Sequence, residues 1–149
     1  MPHANFGLRT REVTLADAVE VARLTEELGY HVSSDAMRQR LEPFKASADR
    51  VVYGACLAGE LVGWIEVILT NHLAAEPRAE IAGLVVSSGL RSRGIGRLLV
   101  ARAEQWAMEK GVKIVLVRSR EARQSAHRFY LREGFEKTKT SFVFTKKVG

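Results

Sequence analysis

Residues 80–100 read EIAGLVVSSGLRSRGIGRLLV. The stretch opens with the apolar pattern of a strand, passes through a basic loop, and ends as the leucine-rich start of a helix. Gly94 and Gly96 lack the β-carbon that would hold a ligand away from the backbone. The first turn of a helix has N–H groups without intrahelical partners, and the helix dipole makes that end favourable for an anion. Arg91 and Arg93 add charge-assisted hydrogen bonds at the same place. The stretch therefore reads as a phosphate site between a strand and a helix. A P-loop is excluded because no Gly-Lys-Ser/Thr follows a first glycine at the required spacing. A dinucleotide fingerprint is excluded as well. Leu99 stands at the third glycine position, and seven residues, Ser87 to Arg93, separate the strand from the glycines.

The rest of the chain bounds what that phosphate can be. With 149 residues, 46% hydrophobic and 27% charged, the composition is that of one globular domain, taken as 1–149. No apolar run approaches the ~20 residues of a membrane span. The opening MPHANFGLRT lacks the basic-then-apolar layout of a signal peptide, and Cys56 is the only cysteine. A cytoplasmic protein without an internal disulfide is the expectation, with Cys56 as a packed core thiol. His3, His31, His72 and His127 are scattered without ligand spacing, so no metal site is expected.

The net charge of +6 is unevenly shared. Residues 1–90 hold 8 Lys/Arg and 12 Asp/Glu, a balance of −4, whereas residues 91–149 hold 15 and 5, a balance of +10. An anionic partner is implied for the second half, either a phosphorylated cofactor or nucleic acid. The basic residues are spread over several elements with no clustered aromatic platform, which argues against nucleic acid.

Periodicity outlines the elements. LRTREV (8–13) reads as a strand. Thr14-Leu-Ala-Asp17 has the form of a capping box before a helical stripe of Leu15, Ala18, Val21, Ala22, Thr25 and Leu28 that ends at Gly29. Ser33 or Ser34 caps a second helix with Met37 and Leu41 inward. RVVYGACL (50–57) and LVGWIEVIL (61–69) read as a hairpin turning through Gly59-Glu60. AEIAGLVVS (79–87) follows a polar loop, TNHLAAEP. A helix over 94–110 stops at Gly111, and KIVLV (113–117) has the continuous apolar pattern of a strand buried on both faces. A last helix over 122–133, with Ala122, Ala126, Phe129 and Tyr130 aligned, closes at Gly134 before strand segments GFEKT and SFVFTKKV. The class is α+β (mixed α/β), a central sheet flanked by helices.

Two motifs in this order, EIAGLVVSSGLRSRGIGRLL and SAHRFYLREGF, separated by a helix and a strand, carry a resemblance over nearly the whole chain. The chain resembles the GNAT superfamily of acetyl-CoA-dependent N-acetyltransferases. The resemblance implies a mostly antiparallel sheet with a splayed parallel strand pair and about four flanking helices. It also implies direct acetyl transfer from acetyl-CoA to a primary amine in a ternary complex. Arg91, Ser92, Arg93, Gly94, Ile95, Gly96 and Arg97 match the segment that holds the CoA pyrophosphate. Backbone groups near Val86 match those that receive the pantetheine arm, and the amide of Leu84 matches the donor to the thioester carbonyl. Tyr130, in Tyr130-Leu-Arg-Glu-Gly134-Phe135, matches the tyrosine that protonates the leaving sulfur. Arg123 stands where many members have an asparagine that contacts CoA, and Ser87-Ser88 where proline is common.

An amine of pKa near 10 arrives protonated, so a base is useful. Glu80 matches the base glutamate of histone-type members, with Glu66 on the neighbouring strand or a chain of waters as alternatives. Simple alternation groups Glu80 with Ala82, Leu84 and Val86. Tyr30, His31, Asn71 and His72 are loop residues that could line the acceptor site. The acidic balance of the first 90 residues points to a small cationic acceptor. A protein lysine or N-terminus, or a non-catalytic CoA- or nucleic-acid-binding module on the same scaffold, are the alternatives. No membrane partner is expected, and a homodimer is expected as the commonest assembly.

Overall fold

The computed structural model describes residues 7–91 and 93–149. They form two compact units, one reaching Val117 and the other running from Arg118 to Gly149. The first unit holds five strands, β1 (Leu8–Glu12), β2 (Arg50–Leu57), β3 (Glu60–His72), β4 (Ala75–Val86) and β5 (Val115–Val117), and three helices, α1 (Ala18–Thr25), α2 (Ser34–Leu41) and α3 (Ile95–Glu109). The strands lie side by side in chain order, the first three pairings antiparallel and β4–β5 parallel. The second unit holds α4 (Gln124–Arg132). This is the α+β class with a mostly antiparallel sheet and one parallel pair.

Local chemistry sets the helix ends. A 3-10 turn, Leu15–Asp17, precedes α1, and the Asp17 carboxylate accepts the Thr14 N–H at 2.8 Å. The same carboxylate takes two N–H bonds from Arg11, both 2.8 Å, which ties β1 to the start of α1. Ser33 caps α2 by accepting the Ala36 N–H at 3.1 Å. Val21, Ala22, Leu24, Met37 and Leu41 from these helices pack with Val52, Leu61, Trp64 and Val85 of the sheet. Side chains alternate along β3, so Gly63 faces the other way, and a β-carbon there would meet Leu99 and Ile95 of α3 at 3.3 and 3.4 Å. Thus α1 and α2 cover one face and α3 the other.

Several expectations are corrected. The β2–β3 turn is Ala58-Gly59, with φ of 52° and 84°, because Glu60 already pairs with Leu57. Positive φ at both central residues matches the right-handed strand twist. The polar stretch TNHLAAEP is largely strand, a longer β3–β4 hairpin whose register breaks between Thr70 and His72. Pro77 lies opposite that break, and it has no N–H to give to a ladder. β5 is three half-buried residues rather than a strand buried on both faces. Cys56 packs against the α1–α2 core but is only partly buried, beside a register irregularity at Ala55/Cys56. The segments GFEKT and SFVFTKKV form no strand. A strand draws its hydrogen bonds from a neighbour, and these residues enter no ladder, so β propensity alone does not order them.

Candidate active site

The end of β4 has an open edge. The Ser87 N–H donates to the Val62 carbonyl at 2.8 Å, so the Ser87 backbone faces β3. Hydrogen-bonded and non-hydrogen-bonded positions alternate along an antiparallel pair. Val85 therefore faces β3 too, while the N–H and C=O groups of Leu84 and Val86 point to the opposite edge. There the partner strand runs out: β5 pairs β4 only at Ala79, Glu80 and Ile81. Leu84 and Val86 thus offer an extended chain the groups that a further strand would use.

A β-bulge sits between this edge and the rest of β4. Glu66 pairs with Gly83 and Val67 with Ile81, so Ala82 is the extra residue. Beyond the bulge Glu80 lies opposite Ile68 and shares its face with Glu66 and Trp64. This overturns the grouping of Glu80 with Leu84 and Val86, since one inserted residue reverses the alternation. Glu66 and Glu80 instead stand diagonally across the β3–β4 pair on the face that carries α1 and α2. Burial pushes the Glu66 carboxyl above its ordinary range, with Arg50 on β2 pulling the other way. Gly83 leaves room for the Trp64 indole, since a β-carbon there would lie 2.8 Å from the ring. The Trp64 Nε1 is buried with no hydrogen-bond partner, an unmet donor on the same face as the two carboxylates.

The start of α3 has the form that an anion needs. Gly94 is its N-cap with φ of 82°, a left-handed conformation suited to glycine, and the Leu98 N–H is the first to bond back, to the Gly94 carbonyl at 3.0 Å. An α-helix offers no intrahelical carbonyl to the first N–H groups of its opening turn, which here are those of Ile95 and Gly96. The Ile95 side chain is buried, so only its backbone is available to a ligand. Arg91, Arg93 and Arg97 are exposed around this end, and Ser92 lies outside the described residues. Arg91 Nε donates to the Val86 carbonyl at 3.5 Å, and its Nη2 is 3.5 Å from Glu27 Oε2. Glu27 Oε1 also accepts the Ser88 N–H at 3.2 Å. Sequence reasoning missed Glu27, whose link to Ser88 spans 61 residues and leaves no periodic trace.

Tyr130 and Arg123 belong to the second unit. The Tyr130 ring makes edge contacts with Phe129 and Phe135 at centroid distances of 5.3 and 5.6 Å. Its carbonyl accepts the Phe135 N–H at 3.0 Å as the chain turns through Gly134. Burial raises the Tyr130 phenol and Arg123 opposes that rise, so the hydroxyl holds its proton at neutral pH. Of the loop candidates, Tyr30 and His31 lie in the α1–α2 connection, with His31 Nδ1 2.8 Å from Glu26. Asn71 and His72 lie at the exposed end of β3. Among the described residues no cluster of His, Cys, Asp or Glu could hold a metal ion.

An open strand edge followed by a basic helix start fits acetyl-CoA, whose amide-bearing arm and pyrophosphate make those two demands. The comparisons with known proteins point the same way. The description "Acetyltransferase (GNAT) family" matches residues 18–135. The aminoglycoside N(6')-acetyltransferase type 1 of Stenotrophomonas maltophilia is 32% identical over 139 residues, 90% of each chain. The aminoalkylphosphonate N-acetyltransferase of Salmonella typhimurium is 40% identical over 89 residues, 59% of this chain and 56% of that one, so the match spans just over half of that relative. Among solved structures, AAC(6')-Iy in complex with the bisubstrate analog CoA-S-monomethyl-acetylneamine has a TM-score of 0.84 over 95% of this chain and 99% of its own, at 17% identity, which speaks for the fold. The chain belongs to the acetyltransferase (GNAT) family and is an N-acetyltransferase that draws its acetyl group from acetyl-CoA.

Proposed function

We propose that this enzyme acetylates a primary amine of a small cationic molecule by direct transfer in a ternary complex. The observation that carries the reading is the pair Glu66 and Glu80 on one face, straddling the bulge that leads to the open edge at Leu84 and Val86. Two carboxylates so placed suit an acceptor with more than one ammonium group. The acidic balance of residues 1–90 supports the same preference, and so does the relative named for aminoglycosides.

In this reading acetyl-CoA supplies, when bound, an acetyl group already activated as a thioester. Arg91, Arg93, Arg97 and the first N–H groups of α3, with Ser92, hold the pyrophosphate. Leu84 and Val86 align the arm, and the Leu84 N–H faces the carbonyl that gains charge. Glu66 takes the proton from the acceptor ammonium, its raised pKa bringing it nearer to the working pH than an ordinary glutamate. Glu80 holds a neighbouring ammonium. Tyr130 delivers a proton to the departing sulfur, its buried phenol being held in the protonated form that a donor needs. In this reading 1–149 is a single catalytic domain. A cytoplasmic site of action fits the single cysteine, and no described helix is long and apolar enough to cross a membrane. Exposed Phe142, Val143 and Phe144 supply apolar surface for pairing with a second copy.

The test is thiol release from acetyl-CoA with a panel of aminoglycosides, polyamines, aminoalkylphosphonates and lysine peptides. Highest kcat/KM on aminoglycosides or polyamines is expected. A preference for the phosphonates or the peptides overturns the cationic small-molecule assignment.

A further inference from the structure

The guanidinium of Arg91 joins two groups that bear on different substrates. Its Nε reaches the Val86 carbonyl, one of the open-edge groups, and its Nη2 reaches Glu27, in the turn Glu26–Leu28 that ends α1. Glu27 is the more buried partner, its side chain 24% exposed against 57% for Arg91. The second carboxylate oxygen of Glu27 accepts the Ser88 N–H, so one side chain pins the end of α1 to both sides of the loop between β4 and α3. The turn continues through Gly29 directly into Tyr30 and His31, and His31 is paired to Glu26. A phosphate arriving at Arg91 must compete with the Glu27 carboxylate, and an extended arm arriving at Val86 must displace the Arg91 Nε.

We propose that Glu27 is a positioning residue that stands in for phosphate. It holds Arg91 across the β4 edge until acetyl-CoA takes the arginine over, and its release then loosens the α1–α2 connection. The inference rests on the assignment of Arg91 to the pyrophosphate. The charge competition and the loop anchor are separable, because glutamine at position 27 keeps an oxygen for the Ser88 N–H and loses the ion pair.

The experiment measures CoA affinity by calorimetry for the wild type, E27Q, R91A and E27Q/R91A, with thermal melts to confirm folding. E27Q is expected to bind CoA about 1.5-fold to fivefold more tightly, the range of one partly exposed ion pair. R91A is expected to bind more weakly, and E27Q is expected to have no effect in the R91A background. Hydrogen exchange over residues 26–33 is expected to speed up when CoA binds the wild type and to show no such response to CoA in E27Q. Unchanged or weaker CoA binding by E27Q, or additive effects of the two substitutions, overturns the proposal. Wild-type affinity in R91A would instead overturn the pyrophosphate assignment on which it rests.

Discussion

Glu66 is a carboxylate kept in a place that favours its neutral form. Burial raises its pKa above the ordinary 4.5, so the charged state that a base needs costs folding free energy. Below pH 4 Glu66 is protonated in the folded and unfolded chain alike and costs nothing. As pH rises past the unfolded value, the unfolded chain ionises first, and stability falls until the folded pKa is passed. Glu66→Gln is therefore expected to raise the melting temperature at pH 7, with the gain vanishing toward pH 4. The same substitution is expected to lower kcat/KM about a hundredfold and to remove the acid limb of its pH profile. Melts and rate profiles across pH 4–8 check both, and an E66Q enzyme of normal rate would pass the role to Glu80 or to water. Burial shifts Tyr130 the same way, and there it keeps the phenol protonated, as a donor requires.

Among the elements, the β2–β3 hairpin has an evident defect. Ala58 has φ of 52°, the only positive value at a non-glycine position among the described residues, and the left-handed region costs a side chain about 1 kcal/mol. Ala58→Asn is expected to stabilise the fold by about 0.5–1 kcal/mol, because asparagine tolerates that region and suits the first position of such turns. A rise in the urea midpoint with unchanged slope is the check. The element that matters most for chemistry is the bulged β4. A strict period of two would set Glu80 beside Leu84, and it is the extra residue Ala82 that brings Glu80 round to Glu66. The period is a local property and was legible. The bulge depends on how β3 lies against β4, and no single strand displays it.

At the scale of the whole molecule, the elements with strong periodicity were legible from residues alone. These are α1, α2, β2, β3 and the β4–loop–α3 passage, where apolar spacing, Ser33 and Gly94 each act within one turn of the chain. Contacts across long sequence distances were not, and Glu27 with Ser88 is the clearest case. The tail misleads for a related reason. Phe142, Val143 and Phe144 have strand composition but no ladder, and they are 83–91% exposed. Apolar exposure of that kind is expected to be covered by a second copy. Sedimentation is expected to show a dimer for the wild type and a monomer for F142S/F144S, and a wild-type monomer would remove the dimer from the proposed function.

The room that Gly83 leaves for Trp64 gives the protein an optical property. The chain has two tryptophans, and Trp106 lies on α3, on the opposite side of the sheet, with the Lys110 ammonium 5.5 Å from its ring centroid. Trp64 alone shares a face with Glu66 and Glu80, so with Trp106 replaced by phenylalanine the remaining emission comes from the face proposed for the acceptor. Its colour and intensity then register a cation arriving there, separately from whatever binds at α3.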